Sequence, residues 1–62
     1  MRDRRICHFQ RNLRIERDNA ALYTRLAELA AEPQLARAYR RIAEGEQQSA
    51  SFWQTQLRDL GV

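Results

Sequence analysis

Two rows of residues that recur every three or four positions, parted by a single break, constrain this chain to two helices lying side by side. The first row is Phe9, Leu13, Glu16, Ala20, Tyr23, Ala27 and Ala30, steps that stay on one face of a helix. The second, Leu35, Tyr39, Ile42, Glu46, Ser49, Trp53, Leu57 and Leu60, has nearly the same rhythm. Between them, Ala30-Ala31-Glu32-Pro33-Gln34 is the only strong break: proline suits the first turn of a new helix and disfavours helical geometry in the residue before it. The spacing predicts an all-α fold, an antiparallel two-helix hairpin. At its end, Leu57-Arg58-Asp59-Leu60-Gly61-Val62 reads as a last helical turn closed by a capping glycine.

The two rows are apolar except at Glu16, Glu46 and Ser49. With a turn centred on Glu32, Glu16 precedes it by 16 residues and Glu46 follows it by 14, about 24 Å and about 21 Å of helix. The two carboxylates are therefore expected at one level. A chain of 62 residues in two helices cannot close a core, because each helix has one face for its partner and another left uncovered. Ile15, Asn19, Leu22, Leu26 and Leu29 form a second row on the first helix and widen its apolar surface beyond what one neighbour covers. Dimerisation into a four-helix bundle answers this, and a two-fold axis would gather two copies each of Glu16 and Glu46. Buried anions so placed must take up protons, pair with an arginine such as Arg17, Arg40 or Arg41, or bind cations; oxygen-rich clusters suit iron and manganese.

The stretches Ile15-Glu16-Arg17-Asp18-Asn19-Ala20-Ala21-Leu22-Tyr23-Thr24-Arg25-Leu26-Ala27 and Ile42-Ala43-Glu44-Gly45-Glu46-Gln47-Gln48-Ser49-Ala50-Ser51-Phe52-Trp53 resemble the rubrerythrin-type ferritin-like domain. They are similar in particular to the version at the N-terminus of bacterial iron and manganese transporters of the vacuolar iron transporter type. In that family a helix-1 glutamate lies seven residues before a tyrosine, as Glu16 does before Tyr23, and helix 2 carries Glu-x-x-His, whose glutamate Glu46 matches. The histidine position is Ser49 here, and a neutral hydroxyl is a poor metal ligand. The resemblance spans roughly residues 13–61. It implies half of a ferritin-like four-helix bundle and a metal site drawing on Glu16, Glu46 and Ser49. Iron, of diiron type, or manganese would be the cofactor, and metal capture or sensing linked to iron transport the function. The implied partners are a second copy of the chain or a larger homo-oligomer, and a membrane transporter domain. A helical dimerisation module that has lost its metal chemistry is the rival.

Other groups carry less. Adjacent Cys7 and His8 point to different helix faces and make no two-ligand site; His8, about 12 Å of helix from Glu16, is too far to share its site within one chain. Cys7 is the only cysteine, so no intrachain disulfide forms. Tyr23, Tyr39, Phe52 and Trp53 read as packing, with the Tyr23 hydroxyl in range of a carboxylate and Trp53 stacked beyond Ser49. Glu44 falls on the opposite face from Glu46, and Gly45 either permits a close backbone approach or is tolerated. All basic residues are arginine; residues 1–11 hold Arg2, Arg4, Arg5 and Arg11 against Asp3, and residues 12–62 balance to zero. The sequence thus divides into a basic leader, 1–11, and a helical hairpin, 12–62. That leader is too sparse for a polybasic anchor, so no nucleic acid and no direct membrane insertion are expected. With no spanning segment or signal peptide in the sequence, a cytoplasmic location is expected. No phosphate loop or nucleophile motif is visible, and whether the chain is an enzyme stays open.

Overall fold

The computed structural model describes residues 3–62 as two helices, α1 (Arg4–Leu29) and α2 (Pro33–Asp59), folded into an antiparallel hairpin of 51 × 14 × 11 Å. Among the described residues, each boundary has a local cause. Asp3 caps α1 with its carboxylate, which accepts the Arg5 backbone N–H at 2.9 Å, satisfying one of the orphan donors of the first turn. Pro33 opens α2, and Glu32 before it is extended, as the residue preceding a proline must be. Glu32 caps α2 by position alone, with no side-chain hydrogen bond. At the far end Gly61 takes φ 84°; its N–H donates to the Arg58 carbonyl and that of Val62 to the Leu57 carbonyl, the paired bonds of a Schellman cap. Residues 4–11 are the first turns of α1, while Arg2 lies outside the described residues.

The rings fix the register. Phe9 packs on Trp53 at 4.9 Å between centroids and Tyr23 on Tyr39 at 6.0 Å. In heptad lettering, Ile6, Leu13, Ala20 and Ala27 of α1 and Ala36, Ala43, Ala50 and Leu57 of α2 occupy position a. Phe9, Glu16 and Tyr23, and Tyr39, Glu46 and Trp53, occupy position d. The helices touch most closely along a, where Ala20, Ala27, Ala36, Ala43, Ala50 and Leu57 are the buried residues. This corrects the second row: Leu35 and Ile42 are each 42% exposed, and the innermost line of α2 is alanine. Alanine has no side-chain entropy to lose and lets backbones approach. Trp53 turns to Phe9 across the hairpin and, edge-on, to Phe52 at 5.0 Å.

The polypeptide direction reverses between the helices, so positions d, g and c of both lie on one side of the hairpin and a, e and b on the other. The d/g/c side is the apolar one. It shows Ile15, Leu22, Leu29, Leu35, Ile42 and Phe52 to solvent, and Asn12, Asn19, Leu26, Ser49 and Gln56 of position g are half-buried. The e residues Gln10, Arg17, Thr24, Arg40, Gln47 and Gln54 are exposed. Gly45, at position c, has open space where a Cβ would stand, so no close approach within the hairpin accounts for it.

Two outcomes follow. Ala43→Leu, forcing an isobutyl group into the alanine seam, is expected to cost about 1–3 kcal/mol in chemical denaturation, whereas Ala21→Leu on the exposed back of α1 is near neutral. The Arg5 side chain, hydrogen-bonded to Asp3 at 2.6–3.1 Å, holds the Asp3 carboxyl below its ordinary pKa, with the Arg5 backbone N–H adding to the effect. A depressed carboxyl stabilises the fold above its unfolded pKa and loses that contribution as pH falls through the folded one. The protection of the first-turn amides of α1, taken relative to the intrinsic exchange rate at each pH, is therefore expected to fall on acidification through that range, and not to do so in Asp3→Asn.

Candidate metal centre

Glu16 and Glu46 lie one heptad from the Phe9–Trp53 layer and one from the Tyr23–Tyr39 layer, so the two carboxylates share the layer between. They also stand at the midpoint of their helices, given α1 over Arg4–Leu29 and α2 over Pro33–Asp59. The expected common level is thus met by the register of the rings. Above and below them, position a contributes only Leu13, Ala20, Ala43 and Ala50, which offer no donor. Both glutamates are half-buried. Glu16 Oε2 is out of contact with solvent and has no hydrogen-bond partner; a carboxylate oxygen so placed lacks a proton, a donor or a cation to offset its lost hydration.

The arginines considered as counter-ions do not fill that role. The ion pairs among the described residues are Arg5–Asp3 and Arg25–Glu28, and Arg17, Arg40 and Arg41 are exposed. No side-chain hydrogen bond from Tyr23 to a carboxylate forms among those residues; its ring faces Tyr39 instead. Ser49 lies one turn beyond Glu46 at position g, half-buried on the apolar side. His8 lies within hydrogen-bonding distance of Asn12, 3.4 Å away, and Cys7 is exposed, both toward the terminal end. No cluster of three or more His, Cys, Asp or Glu side chains able to hold a metal ion occurs among the described residues. One hairpin therefore supplies two carboxylates at this layer, whose oxygen donors are of the type that hard and borderline cations accept.

The seven-residue alanine repeat Ala36, Ala43, Ala50, matched by Ala20 and Ala27, was the signal in the sequence for the true contact line. It orients the site: position d lies between a and g, so the glutamates project from the seam toward the open apolar side. No family model, curated protein or solved structure matches the chain.

An oxygen left without a partner in an apolar layer destabilises the fold by roughly 1–3 kcal/mol. Glu16→Met is accordingly expected to raise the stability of the cation-free protein by an amount of that order in denaturant titration. Glu44→Met, at an exposed position, serves as the control and gains nothing.

Proposed function

We propose that this chain is a divalent-cation-binding hairpin that works as a pair, taking iron(II) or manganese(II) at a layer of four carboxylates, Glu16 and Glu46 from each copy. The unpartnered Glu16 Oε2 carries this reading. The fold also supports it in extent. A compact monomer of 7.4 kDa exposes about 4,200 Å², and this hairpin exposes 5165 Å². The excess is of the order of the ~800 Å² that each partner contributes to a standard interface. The apolar d/g/c side offers that area, and a copy seated there covers the glutamates from the direction in which they project.

The central position of the glutamates matters here. A two-fold axis along the hairpin, or one crossing it at mid-length, brings the two carboxylate layers together at full overlap of the helices. Glu16 and Glu46 would hold the ion. All-oxygen donors select hard or borderline cations, and the bound ion would supply the positive charge that this layer lacks. Ser49 contributes at most a weak neutral oxygen. By the resemblance of its motifs to the rubrerythrin-type domain, the chain would capture or sense the ion, in connection with a transporter domain. A second reading, a helical dimerisation module without metal chemistry, draws on Ser49 and on the extent of the apolar side.

An anaerobic thermal melt with and without Mn(II) or Fe(II), over a series of protein concentrations, separates the two. A working site raises Tm with metal, by the equivalent of about 2.7 kcal/mol at a hundredfold excess over Kd, and Glu46→Ala abolishes the rise. A Tm that climbs with protein concentration and ignores metal leaves the dimerisation module. A Tm insensitive to both overturns the pair itself.

A further inference from the structure

The side of the hairpin opposite the apolar one is basic, and its charge follows from where the acids have gone. Glu16 and Glu46 occupy position d and Asp59 position c, on the other side of the seam, and Glu32 stands exposed in the turn. Arg14, Arg17, Arg37, Arg40 and Arg58 occupy positions e and b of the two helices, all exposed, and none takes part in an ion pair among the described residues. Of the acids on this side, Asp3 is paired with Arg5 and Glu28 with Arg25, which leaves Glu44 alone facing the five guanidinium groups; Asp18 stands at the rim. From Arg58, level with the start of α1, to Arg37, near the turn, the arginines spread over about 30 Å of helix.

We infer that this face binds the phosphate backbone of duplex nucleic acid, without regard to sequence. Duplex DNA presents one charge per ~1.7 Å of axis, and 30 Å spans about nine base pairs at ~3.4 Å each. Arginine grips phosphate with two parallel N–H donors. Gln10, Gln47, Ser51 and Gln54 lie on the same side and are residue types that hydrogen-bond phosphate oxygens. The face carries no aromatic ring, so stacking on single strands has no platform. It also carries no apolar anchor, and charge alone holds a protein weakly on a lipid surface, where durable attachment takes a second signal. The sparse leader argues against nucleic acid; the folded distribution of charge argues for it, because the half-buried Glu16 and Glu46 leave the outward arginines in excess of the acids beside them. This inference is independent of the metal reading, since it uses no residue of the carboxylate layer.

Fluorescence anisotropy of the full chain with a labelled mixed-sequence 20-base-pair duplex tests it, alongside sedimentation with phosphatidylserine vesicles. The expected result is binding at 50 mM salt that weakens as salt rises. In Arg14→Gln/Arg17→Gln/Arg40→Gln, affinity is expected to fall at least tenfold and the salt slope by roughly three, about one for each phosphate that the variant no longer neutralises. These side chains are exposed, and circular dichroism checks that the variant keeps its helix content and melt. Absence of duplex binding at 50 mM salt, equal binding by the triple variant, or vesicle binding tighter than duplex binding would each overturn the assignment, the last in favour of a membrane surface.

Discussion

Close contact between two lines of alanine governs what the rest of this molecule can do. At position a five of the eight side chains are single methyl groups, and Leu57 is the one larger residue buried among the described residues. Helix axes that meet over methyl groups come near enough for position d to face itself across the seam, and large side chains there must either stack or lean out. Phe9 with Trp53 and Tyr23 with Tyr39 do so as tilted ring pairs. Glu16 and Glu46, in the layer between, have no such apolar solution. The same feature that aligns the rings thus confines two carboxylates to a layer without donors.

That closeness has a second consequence. An alanine seam removes little apolar surface from water, since each buried methyl contributes only about 0.8 kcal/mol, and no large side chain is fully buried among the described residues. The larger aliphatic residues, Ile15, Leu22, Leu29, Leu35 and Ile42, stand outside the seam. A hairpin built this way keeps its main hydrophobic resource on its surface, where a second helical pair could use it. Position d adjoins that surface, so the surroundings of the carboxylates depend on what covers it.

The sequence made the hairpin, its turn and its glycine cap legible, because proline at the start of α2 and glycine at φ 84° leave little conformational choice. The level of Glu16 and Glu46 was equally legible, since helical rise alone sets it once the turn is placed. The inner line of α2 was not. Leucine and isoleucine at positions 35 and 42 outrank alanine at 36 and 43 in hydrophobicity, so apolar periodicity selected the neighbouring row, one residue or 100° around the helix. What decided the outcome was steric: two close helices exclude large side chains from the contact line, and hydrophobicity scales do not contain that term. Whether an arginine would reach Glu16 was likewise hidden from spacing, because a guanidinium on a long flexible stem gains little at a half-buried carboxylate when it can remain in water.

The distribution of charge is best understood as a consequence of the same geometry. Acidic and basic residues balance over 12–62, so a chain with random faces would show a near-neutral surface. Folding breaks that balance by assigning Glu16 and Glu46 to position d, where they are half-buried, and the arginines of the hairpin body to e, b and f, where they are exposed. Withdrawal of these two anions and exposure of the arginines are therefore a single event. Any cation or proton that neutralises the Glu16–Glu46 layer leaves the outer field more positive still, since long-range potential follows net charge. The inner layer and the outer face carry opposite charges, and the lines of alanine that bring the helices together set the distance between them.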